Sequence, residues 1–590
     1  MKKIILGISF FFIFNTVATR AQNIFKAAEK GNLEVIKKLL VNNISDINLR
    51  DNNGKTALSI AAEKGYPDMV KYLIEKGADV STQNKYGTTP LHYASYYNYI
   101  GIVRLLLESD ARLNLHSDFT ATAISFAATR GNTEIVKMLV EKGADVNIPD
   151  NQNKSPLYYA AGEGHLEAVK LLLDAGADKN IITQNGENIL HSACIGSNKD
   201  IVALFMDMKR SFGEVNKYGK TPLFYAAVNG NSEIVNMIME KIHTDLKMIT
   251  NDGNTYLHAA AEGNLKDFAL KCIEHGVDIN AANAFGLTPL DISEKYNKPE
   301  MIEFLKQHGA KIHQVVELTG SYVDNNEPGL TPVVFAPGII SLPDFNERDV
   351  TFTPDGSEIY FTRYPVDKTW NIMTMKKQNN VWIAPQKARI SGKFLDAEAS
   401  VTRDGSKIFF ISGRPKNDSI PAGAIEIWFA NRENGDWGNP ELLGDKFSGG
   451  YYPTFTDNGT MYFTDANTNI SKSLLVDGEY KEVINLGDSI NTEESEYNAL
   501  IAPDESYLIF TSKGWGKGYG NDDLYISFRK EDGTWTKARN MGPVINSFAR
   551  EYCPALSYDG KYFFFCSSRY ETEDIFWVSA KIIDDLRPEK

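Results

Sequence analysis

One spacing dominates the first half of the chain: an apolar residue returns every 33 positions. Leu58, Leu91, Ile124, Leu157, Leu190 and Leu223 keep the step, Leu257 slips by one residue, and Leu290 resumes it. Around them stand "GKTALSIAAEKG", "GTTPLHYASYYN", "NKSPLYYAAGEGH", "GKTPLFYAAVNG" and "GLTPLDISEKYN". Each is followed by a line such as "EIVKMLVEKGADVN" at 134–147, whose apolar residues fall three and four apart, as on one face of a helix. The letters have physical reasons. Thr caps a helix start and Pro fits its first turn. Alanines let paired helices approach closely, and Gly ends a helix in the left-handed conformation. No unit can bury its own apolar face, so stacked neighbours must make one continuous core.

This pattern resembles the ankyrin repeat. Nine units are read from about residue 23 to 315, the first without its opening hairpin and the sixth, "KDIVALFMDMKRSFGEV", the most degraded. The resemblance implies an α-solenoid whose concave face, made of hairpin tips and short first helices, holds a protein partner. Those slots contain Tyr86, Tyr96, Tyr97, Phe119, Arg130, Tyr159, Glu163 and Tyr218. Aromatic residues and arginine dominate interfaces where they stand exposed, and about half of this set is expected to touch a partner. His92, His191 and His258 occupy one recurring slot, where the resemblance implies that histidine ties down a neighbouring turn.

Past a polar connector, "LTGSYVDNNEPGL" at 318–330, the period lengthens to between 46 and 55 residues and the pattern becomes one of strands. "VTFTPDGSEIYFTR", "ASVTRDGSKIFFISGR", "YPTFTDNGTMYFTD", "NALIAPDESYLIFTS" and "PALSYDGKYFFFCSSR" each read as two short strands about a tight turn, with Asp and Gly supplying the unusual backbone angles. A second hairpin follows in most units. The fifth stops after "DIFWVSAKI", and "PVVFAPGIIS" at 332–341 is the strand expected to complete it. Such closure removes exposed sheet edges. These units resemble the PD40 or WD40-like repeats of TolB-type β-propellers. Five blades are read, with a sixth left open.

The expected fold class is therefore multidomain α + β: an N-terminal α-solenoid of ankyrin repeats over 22–315, a linker over 316–331, and an all-β propeller over 332–590. Ahead of them "MKKIILGISFFFIFNTVATRAQ" has the layout of a secretory signal peptide over 1–21. Its eleven apolar residues, Ile4 to Phe14, fall short of the roughly 20 that span a bilayer. The expected location is periplasmic or extracellular, with no membrane insertion. A net charge of -14 argues against nucleic acid or an anionic membrane surface as partner.

Composition also limits the chemistry. All nine histidines precede residue 316, so a Ser-His-Asp triad or a histidine-ligated metal within the propeller is excluded. No "GxSxG" elbow is present. "GWGKGYG" at 514–520 lacks the Ser or Thr that follows the lysine of a phosphate loop and joins strands instead of opening a helix. It reads as a loop whose Trp515, Lys517 and Tyr519 can grip a sugar or peptide. Eight residues before the turn positions Asp355, Asp404, Asn458, Asp504 and Asp559 stand Glu347, Asp396, Gly450, Glu496 and Glu551. The four acids have two readings: ties within each blade, or a ring at the channel mouth that binds a metal ion or another cation. Cys194 and Cys272 read as buried thiols. Cys553 and Cys566 face each other if Asp559 and Gly560 make a two-residue turn, giving a disulfide or a close thiol pair.

No complete catalytic set emerges and no cofactor is expected. The first reading is an exported, non-enzymatic scaffold that binds protein partners, with an envelope glycan or peptide as a further ligand. Its rivals are a carbohydrate-active hydrolase or lyase using the propeller carboxylates, and a propeller that senses a metal ion or small ligand.

Overall fold

The computed structural model describes residues 21–41, 44–118, 121–206, 212–241, 244–311, 322–323, 327–365, 369–416, 423–514 and 518–588. The stretch read as a signal peptide lies outside these residues except for Ala21, as do Phe119, Trp515 and Lys517. Among the described residues no helix is long and apolar enough to cross a membrane.

The described residues of the first half form nine antiparallel helix pairs, from helical residues 21–29 with Leu33–Leu40 to Pro289–Lys295 with Pro299–Gln307. The residues that keep the 33-step are all buried, from Leu58 to Leu290. Thr56, Thr89, Ser155 and Thr221 cap the first helix of their units by accepting a backbone N–H three residues on. One backbone hydrogen bond joins successive hairpin tips, as from Lys85 N to the Asn53 carbonyl and from Asp118 N to that of Tyr86. The recurring histidine adds a second tie. His92 Nδ1 accepts from Thr89 N at 3.1 Å, and Nε2 lies 3.0 Å from the Leu115 carbonyl and 3.2 Å from that of Ala121 in the next unit. Burial pushes its pKa down to about 4, so the ring stays neutral and its pattern of bonds does not change near pH 7.

Beside a separate small hairpin of Leu475–Val476 and Glu479–Tyr480, the described residues of the second half form a ring of five four- or five-stranded antiparallel sheets, hence five blades. Their innermost strands are Asn346–Phe352, Asp396–Val401, Tyr451–Phe455, Ser495–Ile501 and Glu551–Leu556. Each packs on the next, and the last packs back on the first. The turns work as their letters suggest: Asp355 Oδ1 accepts from Thr353 Oγ1 and from the N–H of Ser357, with Gly356 at φ +67° between them. Val333–Val334 pairs with Asp574–Ser579, so the start of the domain supplies the outer strand of its last blade. Phe335 continues the tie through its N–H to the Ile575 carbonyl, and its ring lies fully buried 5.0 Å from Phe564 and 5.2 Å from Trp577.

The connector differs from its sequence reading. Tyr322 and Val323 are buried in the propeller, where the Tyr322 ring meets Tyr558, Tyr562 and Trp577 and its hydroxyl donates to Asp559 Oδ1. The polar letters around them hide a single aromatic anchor. Because the closing strand is so short, its hold rests on packing. Phe335→Ala is expected to lower propeller stability by roughly 3–5 kcal/mol, measured by denaturant unfolding followed through tryptophan fluorescence.

Candidate functional site

The described residues of the expected concave face fall into one cluster and several separate positions. Tyr96 and Tyr97 meet edge to face at 5.0 Å, the Arg130 guanidinium lies 5.0 Å over the Tyr96 ring, and Tyr97 stacks with Tyr99. Tyr97 is 47% exposed and Tyr86, at a hairpin tip, 54%. Arg130 and Glu163 are exposed, whereas Tyr159 and Tyr218 are half-buried. Tyr159 donates to Asp150 Oδ2 at 2.5 Å, which holds its ring to its own unit.

In the propeller, Glu347, Asp396, Glu496 and Glu551 each open or nearly open an innermost strand and are fully buried. Each is held inside its own blade. Asp396 accepts from Ser412 Oγ at 2.6 Å, Arg414 Nη2 at 2.8 Å and the Gly392 N–H at 2.8 Å. Glu551 repeats this with Ser567, Arg569 and the Ser547 N–H. In both, the arginine also donates to a backbone carbonyl of the preceding loop, that of Ile390 or Ile545. Arg363 does both jobs for Glu347, whereas Glu496 relies on Thr492 and Ser512, since Gly514 stands where an arginine would. These carboxylates lock a loop to a strand pair. They share no bond with one another, and no set of metal ligands among the described residues includes them. Tyr519 is 49% exposed, on a loop whose N–H groups at Tyr519 and Gly520 are gathered by Asp523.

Two residues further along, the strands converge. In every blade the register between the innermost strand and its neighbour slips at one point, so two residues oppose one. The bulged residues are Asp349, Glu398, Tyr452, Asn498 and Cys553, with φ between +48° and +58°. Left-handed backbone is uncommon outside glycine, more readily taken by Asp349 and Asn498 than by the other three, and strain of this kind costs on the order of 1–3 kcal/mol per residue. All five are buried.

Arg348 knits this ring together. Its Nε lies 3.0 Å from both oxygens of Asp349, and its Nη2 donates to Glu398 Oε1 at 2.6 Å and to Cys553 Sγ at 3.2 Å. Trp370 and Tyr552 lie 5.0 and 5.1 Å from the guanidinium. One cation thus faces two carboxylates. Burial raises the Glu398 carboxyl above the usual carboxylate range, against the pull of Arg348. Burial likewise pushes the Cys553 thiol well above its ordinary value. The Tyr552 hydroxyl has no hydrogen-bond partner among the described residues. A cavity of about 90 Å³ lined by Asp349, Glu398 and Tyr452 continues along the innermost strands.

Of the two readings of the cysteine pair, the structure has the close thiol pair and not the disulfide. All four cysteines are free thiols, so Cys553 and Cys566 form no disulfide. The turn sets the register expected for them as far as Leu556 with Phe563, but the bulge shifts it by one, so Cys566 pairs with Tyr552. Cys553 is itself the bulged residue, and the two sulfurs still lie within 4.8 Å of each other. Sequence reasoning missed the bulged ring although a signal existed. Six residues before each turn position the letters are Asp, Glu, Tyr, Asn and Cys, a buried column that is neither apolar nor uniform.

Residues 24–117, 111–183, 176–248 and 237–315 match the family model described as ankyrin repeats in three copies. The helical region is an ankyrin-repeat domain. No curated protein matches the chain. Ankyrin repeats followed by a five-bladed propeller make this a protein-interaction scaffold in its architecture.

Two measurements probe the buried charge. Arg348→Ala leaves two carboxylates without their cation and is expected to cost about 3–5 kcal/mol in denaturant unfolding, most of it recovered when Asp349→Asn and Glu398→Gln are added. Asp574 is fully buried, pairs with no cation among the described residues, and is raised by burial from 3.8 to about 7. A carboxyl raised on folding stabilises most below its unfolded pKa, and that contribution is lost as pH rises through the folded one. Stability should therefore fall between about pH 4 and 7 by at most roughly 4 kcal/mol from this group, and Asp574→Asn should flatten that slope in urea titrations across the range.

Proposed function

We propose that the protein is an exported, non-enzymatic scaffold whose ankyrin domain holds a protein partner on its concave face and whose propeller, of the PD40 type, offers a second docking surface. The observation that carries this reading is the exposed cluster of Tyr96, Tyr97 and Arg130, with Tyr86 also exposed. A water-facing aromatic–arginine group is the composition of interface anchors, which contribute most when a partner desolvates them. Export is supported by the signal-like layout of residues 1–21. The non-enzymatic reading is supported by the absence of histidine from 316–590 and by the burial of the four blade acids, which keeps them from a polymeric substrate.

The test uses the full chain with a photo-crosslinking residue at Tyr97 or, as a control, at the exposed Val41 of the first ankyrin unit, applied to the exported fraction of producing cells. A discrete protein adduct at Tyr97 alone is expected. Tyr96→Ala, Tyr97→Ala and Arg130→Ala are each expected to weaken the purified interaction by at least about 30-fold, the scale of a hot-spot loss near 2 kcal/mol. Turnover of a glycan or peptide by the purified chain, abolished by Glu347→Gln or Glu496→Gln in protein that still folds, would overturn the reading.

A further inference from the structure

We propose that Asp349, Cys553 and Cys566 form a site for a thiophilic metal ion, zinc above all, that staples the last blade of the propeller to the first. One carboxylate oxygen and two sulfurs lie within 4.8 Å of one another, all fully buried. Tetrahedral zinc with Zn–S near 2.3 Å needs its sulfurs about 3.8 Å apart, so small side-chain adjustments bring them into place. Two thiolates with one carboxylate favour zinc over magnesium or calcium, which prefer all-oxygen shells.

Donors to both sulfurs are already in place. Each sulfur faces an N–H donor: Arg348 Nη2 at 3.2 Å from Cys553 Sγ, and the Asp349 backbone N–H at 3.4 Å from Cys566 Sγ. The second bond has counterparts elsewhere in the ring. The bulged N–H groups of Glu398 and Asn498 donate to Thr362 Oγ1 and Thr464 Oγ1 of the blade before. A threonine therefore serves the structural purpose at this position. The seam between last and first blade is where a cysteine replaces it, beside a bulged residue that is also cysteine. A pair of sulfurs adds nothing to that bond and supplies what a metal requires.

Charge and space agree. The two charges of zinc cancel those of the two thiolates, so the metal enters without changing the net charge that Arg348 shares with Asp349 and Glu398. Binding follows Zn²⁺ + 2 Cys–SH → Zn(S–Cys)₂ + 2 H⁺, with Asp349 as the third ligand. Asp349 also borders the cavity of about 90 Å³, which has room for a water as fourth ligand. The Tyr552 hydroxyl, without a partner among the described residues, adds an unmet polar bond beside the site.

The full chain, purified reduced and metal-free, would be titrated with Co²⁺ and with Zn²⁺ in competition with a chromophoric chelator. One equivalent per chain is expected, with a thiolate-to-cobalt charge-transfer band and the d–d bands of a tetrahedral site. Cys553→Ser, Cys566→Ser and Asp349→Asn should each weaken binding by at least about 100-fold, beyond what loss of an outer-shell partner costs, whereas Cys194→Ser should leave it unchanged. X-ray absorption of the zinc-loaded wild type, which needs no variant to fold, should show two sulfur ligands near 2.3 Å. Binding retained by Cys553→Ser, a zinc shell of oxygen and nitrogen alone, or no binding by a chain whose four thiols titrate as free would each overturn the proposal.

Discussion

Each innermost strand of the propeller carries one residue more than its neighbour can pair with, and the interior of the ring follows from that surplus. The extra residue takes left-handed backbone at Asp349, Glu398, Tyr452, Asn498 and Cys553, which bends the strand and re-aims a side chain. Without the bulge, strict alternation would set the column on one face of its own blade, to be buried against an adjacent sheet. With it, five unlike polar groups are collected where the blades converge. Arg348, itself buried, then makes the ring tolerable by placing one guanidinium among two carboxylates and a sulfur.

The two repeat systems use polar groups in opposite ways. In the ankyrin domain, buried polar atoms serve the fold: His92 and His191 tie successive hairpins, and serine and threonine cap helices. Its aromatic and arginine side chains near Tyr96 are left to water. In the propeller, aromatic side chains fill the interior of the blades, as Phe361, Phe410, Phe463, Phe510 and Phe565 do, while a mixed polar ring sits deep at the axis. A partner of the first is expected to meet a surface, and an ion at the second to meet an enclosed shell.

The architecture was legible because both signals are local. An apolar residue every 33 positions and a tight turn led by Asp or Asn every 46 to 55 need no knowledge of what packs on what. The acid column was legible as a column, but its chemistry was settled by residues sixteen and eighteen places further on, Ser412 and Arg414 in the second blade and Ser567 and Arg569 in the fifth. The cysteines are the close thiol pair the sequence allowed, but not directly opposite each other: counting outward from the turn assumes an unbroken register, and the slip lies between Tyr552 and Ala555, inside the strand. Tyr322 escaped because a lone aromatic in a polar connector has no periodicity to betray its burial.

The closing strand also sets a timetable for synthesis. Val334 finds its partner in Phe576, at the far end of the domain, so the ring cannot shut until the strand Asp574–Ser579 has been made. The ankyrin repeats need only contacts between neighbouring units and can order one after another as they emerge. Every blade after the first must wait with an open edge and aromatic side chains uncovered. The period of greatest exposure to misassembly therefore falls between completion of the solenoid and arrival of Asp574–Ser579.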